Sequence, residues 1–166
     1  NPATEQAFAE IALGEQADVD AAVAAARRAF AEFAFTTPAE RKAMLERILE
    51  SFMARYDDIA AAIMQEVGAP QALAHDWQAG IGKRHLEQML RTLDSFEFRK
   101  SRGTTLINQE PVGVVALITP WNWPINQIAC KVAPALAAGC TLVLKPSEIA
   151  PINALIFAEV MHDAGV

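Results

Sequence analysis

Cysteine, histidine and tyrosine are scarce in this sequence: Cys130 and Cys140 are the only cysteines, and there are three histidines and one tyrosine in 166 residues. Two cysteines cannot build a disulfide framework. Neither has Cys or His partners at metal-ligand spacing, so no metal site is expected and a reducing cytoplasm fits best. Positive charge is also short: 14 Lys and Arg stand against 20 Asp and Glu, a formal charge of −6 with a pI near 5.0. Without a basic field to hold a phosphate backbone, nucleic acid is not an expected partner. Long unbroken apolar runs are missing too. The longest charge-free stretch, Pro111 to Cys130, contains Pro120, Asn122, Pro124, Asn126 and Gln127, which would leave costly polar groups in lipid, so no membrane span is expected. The opening Asn1-Pro2-Ala3-Thr4 has neither a methionine nor a basic or apolar leader, and His162-Asp163-Ala164-Gly165-Val166 reads as a helix end with its stopping glycine at Gly165 and no closing element after it. Both ends therefore read as cut.

What is present is enough apolar material, 52% of residues, to bury the core of one domain. Charge divides the chain near residue 110: 12 Lys and Arg with 17 Asp and Glu precede it, and only 2 and 3 follow. The second part must be mostly interior. In the first part Asp18 is the expected N-cap of a helix with Val19, Ala22, Val23, Ala26, Phe30 and Phe33 on one face. Thr37-Pro38-Ala39-Glu40 spells a capping box with proline at the first helical position, followed by the stripe Leu45, Ile48, Leu49, Phe52, Met53 and Tyr56. A third helix is expected from Asp57 to Val67, stopping at Gly68, and a fourth from Leu73 to Leu93, weakened by Gly80 and Gly82. Between Phe96 and Ile107 the helical period lapses, and a short ribbon turning near Arg102-Gly103 is predicted. Gly113 to Ile118 then reads as a buried parallel strand. A helix follows on Ile125, Ile128, Ala129, Val132, Ala133 and Leu136, which Pro134 should kink or divide. Thr141 to Leu144 is a second buried strand, and Pro151 to Ala164 a final helix. The fold class is α/β: a helical part over residues 1–95, a ribbon over 96–110, and the first βαβα of a Rossmann-like parallel sheet over 111–166.

In open parallel sheets ligands bind beyond the carboxyl ends of the strands, which directs attention to Thr119–Pro124 and Lys145–Glu148. The first segment, Thr119-Pro120-Trp121-Asn122-Trp123-Pro124, stands where a glycine-rich phosphate loop is common. Its two prolines stiffen the turn and leave the Asn122 amide to project, a placement suited to oxyanion stabilisation. The alternative is that Asn122 only bonds its own turn. In the second segment, Lys145-Pro146-Ser147-Glu148, the carboxylate is placed to accept ribose hydroxyls and the lysine to join it; the alternative is that Ser147 or Glu148 caps the next helix. Lys131 lies off its helix's apolar stripe, where solvent exposure is the plain reading. Cys130 and Cys140 sit among small apolar neighbours as packing residues, and His75, His85 and His162 stand alone as surface positions.

Taken together, Pro120-Trp121-Asn122-Trp123-Pro124, Lys131, Pro134-Ala135-Leu136-Ala137-Ala138-Gly139 and Lys145-Pro146-Ser147-Glu148 resemble the aldehyde dehydrogenase superfamily in order and spacing. The resemblance runs through nearly the whole chain. It implies NAD(P)-dependent oxidation of a small-molecule aldehyde to a carboxylic acid through a cysteine thiohemiacetal, hydride transfer and thioester hydrolysis. By the same resemblance Asn122 holds the tetrahedral oxyanion, and Lys145 and Glu148 bond the adenosine ribose. Thr119, Pro120 and Trp121 line the cofactor cleft, with Pro146 and Ser147 in the second cofactor loop, and Lys131 is tied to proton transfer. NAD is favoured over NADP because Glu148 would repel a 2′-phosphate, although Lys145 offsets that repulsion. The family's catalytic cysteine and general-base glutamate fall outside these residues, so the segment alone is expected to be inactive. A homodimer or homotetramer, joined near Phe96–Ile107, is expected of the whole enzyme. The alternative is an inactive nucleotide-binding or interaction module derived from that fold.

Overall fold

The computed structural model describes all 166 residues. Helix α1 runs Gln16–Phe33, α2 Pro38–Ala54 and α3 Tyr56–Val67. Asp18 is not the N-cap of α1. The helix begins earlier, and Asp18, in its first turn, accepts the Glu15 backbone N–H at 2.8 Å, the reaching-back half of a capping box. At α2 the box is complete: Thr37 Oγ1 accepts the Glu40 N–H and Glu40 accepts the Thr37 N–H. The expected fourth helix starts with a π-helical segment, Leu73–Ala79, and becomes α-helical only as α4, Gly80–Leu93.

Strands β1 (Arg99–Arg102) and β2 (Thr105–Asn108) form an exposed antiparallel ribbon, Arg99 opposite Asn108 and Arg102 opposite Thr105. Strand β3 (Val114–Ile118), helix α5 (Pro124–Ala137), strand β4 (Thr141–Lys145) and helix α6 (Ile152–Asp163) complete the chain. β3 and β4 pair in parallel from Val114 opposite Thr141 to Ile118 opposite Lys145. Pro134 does not divide α5. The helix continues past it and closes at Gly139, whose φ of +84° lets the Cys140 N–H reach Ala135 O and its own N–H reach Leu136 O, each at 2.9 Å.

The core gathers Leu45, Ile48 and Phe52 of α2 with Ile63 of α3, Ile128 of α5 and Phe157 of α6. Arg41, 5% exposed, ties the layers: its Nε donates to Ala137 O at 2.8 Å, and its guanidinium lies 4.9 Å from the centre of the Phe98 ring at the root of the ribbon. The expectation of a fully buried β3 is not met, since only Leu117 is buried and Ala116 and Ile118 are exposed. Two strands leave two bare edges. A groove of about 720 Å³ beside β4, between α1 and α6, is lined almost wholly by apolar side chains such as Ala29, Leu142, Leu144 and Met161. No helix is long and apolar enough to cross a membrane.

Candidate active site

Because β3 and β4 are parallel, both deliver their following loops to the same edge of the sheet. The Thr119 N–H donates to Lys145 O at 3.2 Å, one step past the last paired residues, so the first loop is rooted on the second. Thr119 is buried, and Pro120, Trp121 and Asn122 beyond it are exposed. Pro120 and Pro124 fix φ on either side of the tip. Between them Trp123 adopts φ 55°, ψ 54°, a left-handed conformation that costs a non-glycine residue about 1–2 kcal/mol. The Trp123 carbonyl accepts the Gln127 N–H at 3.1 Å and opens α5. Asn122 does not bond its own turn. Its side-chain amide makes no hydrogen bond within the chain, so a loop stiffened by two prolines and one strained residue presents a free donor.

In the second loop Lys145 Nζ stands 3.0 Å from Glu148 Oε2, both side chains exposed. A hydrogen bond to its own backbone N–H and the adjacent Lys145 ammonium hold the Glu148 carboxyl below the ordinary carboxylate range, so it is an anion at neutral pH. Pro146 is half-buried. Ser147, 9% exposed, turns the loop by accepting the Ile149 N–H on its Oγ at 3.2 Å. Neither Ser147 nor Glu148 caps α6. That task falls to Glu66 of α3, which is 6% exposed: its carboxylate accepts the Ile152 N–H, the Asn153 N–H at 3.1 Å and the Asn153 Nδ2 at 2.8 Å.

Lys131 is half-buried rather than solvent-exposed. Its Nζ donates to the carbonyl and Oε1 of Gln127, both at 3.2 Å, and lies 3.9 Å from Cys130 Sγ. None of these bonds joins it to Asn122 or to the β4 loop. His85 is not a free surface residue either: its Nε2–H donates to Asn126 Oδ1 at 2.7 Å, a part-buried bond from α4 to the first turn of α5. Nothing local in the sequence signals it, since the partner lies 41 residues further along the chain. No group of three or more His, Cys, Asp or Glu side chains is placed to hold a metal ion.

The whole chain, residues 1–166, matches the aldehyde dehydrogenase family. The chain belongs to that family. It is 50% identical over 167 residues to 3-succinoylsemialdehyde-pyridine dehydrogenase of a Pseudomonas species, an overlap covering 100% of this chain and 35% of that protein. Among solved structures it is similar to aldehyde dehydrogenase C of Pseudomonas syringae, crystallised as a mutant with NAD+ and octanal: TM-score 0.97 and 49% identity, over 100% of this chain and 34% of that one. An aldehyde dehydrogenase of Bartonella henselae gives a TM-score of 0.95 at 43% identity, over 98% and 35%. The chain thus spans about 35% of the length of the aldehyde dehydrogenases it matches.

Proposed function

We propose that these residues form the amino-terminal part of an NAD-dependent aldehyde dehydrogenase that oxidises an aldehyde to a carboxylic acid. The observation that carries this reading is the free Asn122 amide, held on a stiff, strained loop at the carboxyl end of a parallel strand and rooted against the Lys145–Glu148 loop. A donor fixed before substrate arrives needs no reorganisation when negative charge develops on the aldehyde oxygen, and this is the condition for effective oxyanion stabilisation. NAD+, when bound, accepts the hydride. The residues present fit it: at a strand end an ionised Glu148 would accept bonds from ribose hydroxyls and the Lys145 ammonium paired with it would donate to them, and Thr119, Pro120 and Trp121 would supply the facing wall. Pro146 and Ser147 fix the course of the second loop. Lys131, bonded to Gln127 on the helix that Asn122 leads into, holds a proton at Nζ.

In this reading the thiol nucleophile and the general base come from elsewhere in the enzyme. Cys130, half-buried on α5, and Cys140, 4% exposed just after it, fill packing positions. Residues 1–95 support the site, residues 96–110 are the ribbon through which a homodimer or homotetramer forms, and residues 111–166 are the cofactor-binding βαβα. A charged carboxylate at Glu148 favours NAD over NADP, and unpaired cysteines suit the cytoplasm. The test is NADH formation by the full-length enzyme with NAD+ and octanal. Asn122→Ala lowers kcat by about 10²–10³-fold, the cost of one oxyanion donor, with NAD+ affinity unchanged. A kcat within about threefold of wild type in that variant overturns the assignment.

A further inference from the structure

We infer that His85 of α4 is a positioning residue for the reaction, holding Asn122 in place through the first turn of α5; this rests on the reading of Asn122 given above. Helix α5 starts without a side-chain cap, directly after the strained Trp123. A left-handed tryptophan persists only where its surroundings over-determine it. The prolines stiffen the loop, but the helix start itself needs an anchor, and α4 supplies two, one turn apart.

The first is a notch. Gly82 is buried, and a Cβ there would lie 3.0 Å from Phe52 Cζ and 3.1 and 3.3 Å from Ile125 Cγ1 and Cγ2. The absence of a side chain at Gly82 therefore lets Ile125, wholly buried, seat against the α4 backbone. The second is the bond from His85 Nε2–H to Asn126 Oδ1 at 2.7 Å. An amide oxygen only accepts, so the imidazole must carry its proton on Nε2 to make it. Ile125 and Asn126 are the second and third residues of α5, and Asn122 stands two residues before the helix. With these two residues clamped and φ fixed at Pro124, the path from α4 to the Asn122 side chain contains few free torsions. A packing contact such as Ile125 in its notch tolerates sliding along the helix, whereas a directed hydrogen bond fixes the rotation of the turn. Rotation of this turn is what aims the Asn122 amide.

The full-length enzyme with NAD+ and octanal tests this. His85→Ala and Asn126→Ala each lower kcat by about tenfold, since displacement of a catalytic group by a fraction of an ångström suffices, while the Kd for NAD+ stays within about twofold. His85→Gln, whose amide N–H replaces the Nε2 donor, recovers most of the loss. In an Asn122→Ala background, His85→Ala lowers kcat no further, because the two residues act as one unit. A kcat near wild type in both His85→Ala and Asn126→Ala, with Asn122→Ala strongly impaired, overturns the inference and leaves the Asn122 reading intact. Full additivity of the two substitutions also overturns it. A normal kcat in Asn122→Ala overturns the reading itself. Should His85→Ala fail to fold, Asn126→Ala breaks the same bond from a half-buried position and decides the question.

Discussion

Replacing Glu66 by alanine should loosen a helix that lies 86 residues away in sequence. Its carboxylate accepts three donors at the start of α6, and no side chain of the local loop stands in for it. Alanine leaves the Ile152 and Asn153 N–H groups without acceptors. The Asn153 side chain keeps its bond to Ala150 O at 2.9 Å. An abandoned buried donor costs about 1–3 kcal/mol. Loss of the cap's favourable interaction with the helix start adds about 1 kcal/mol. With the two donors at the low end of that range, about 1 kcal/mol each, the sum is about 3 kcal/mol. Glu66→Gln keeps one carbonyl oxygen but turns an NH2 toward at least one donor, for a loss of about 1–2 kcal/mol. Native-state hydrogen exchange on the full-length enzyme reads this locally. At about 1.4 kcal/mol per decade, the amides of Ile152 and Asn153 exchange roughly 100-fold faster in Glu66→Ala and roughly tenfold faster in Glu66→Gln. Amides in the middle of α2 keep their protection. Exchange at Ile152 and Asn153 within about threefold of wild type in the alanine variant would refute the reasoning, because an unsatisfied helix start must open more often.

On the proposed ribose-binding role of Glu148, substitution by glutamine removes an anion that would repel a 2′-phosphate, so the ratio of kcat/KM for NADP to that for NAD rises about tenfold in steady-state assays, and an unchanged ratio refutes the electrostatic account. His75 stands between Asp76, 2.8 Å from Nδ1, and Asp57, 3.2 Å from Nε2, and its pKa is raised above 6.5, first by the hydrogen bond to Asp76 and also by that to Asp57. The raised value fixes the sign: the clamp contributes fully below the unfolded pKa and is lost as pH rises through the folded one. Amides of Leu73–Ala79, corrected for intrinsic exchange, are therefore better protected at about pH 6 than at about pH 8.5, and His75→Gln removes the difference. Equal protection at both pH values in the wild type would count against the clamp.

Local rules carried much of the fold. The Thr37 box, the stop at Gly68, the turn near Gly103 and the two strands are all short-range chemistry, and the structure has them where the residues point. The boundary of α1 was missed because Glu15 and Asp18 both suit a helix start and only the backbone decides which one leads. The burial of β3 was overestimated because an apolar run reports what a strand requires, not which partners cover it, and within these residues nothing covers Ala116 or Ile118. The strand-end loops were legible as places. The freedom of the Asn122 amide was not, since spacing cannot tell a projecting asparagine from one folded onto its own turn. The bonds from Glu66 to α6 and from His85 to Asn126 join residues 86 and 41 apart, and neither leaves a local signal.

The π-helical stretch at Leu73–Ala79 fixes the angular phase of everything after it. Each residue of an α-helix advances its face by about 100°. The wider i→i+5 turns absorb an offset that a regular helix would not. Converting the stretch to regular α-helix at unchanged length keeps every side chain of α4 in the sequence, yet turns Gly82 and His85 by about 100°, away from Ile125 and Asn126. Removing one residue as the helix becomes regular leaves their phase nearly unchanged. Relatives that keep the length of this segment but lack its wide turns must therefore find a different way to anchor the tryptophan-flanked loop, whereas indels in the exposed turn at Gly103 leave that anchorage untouched.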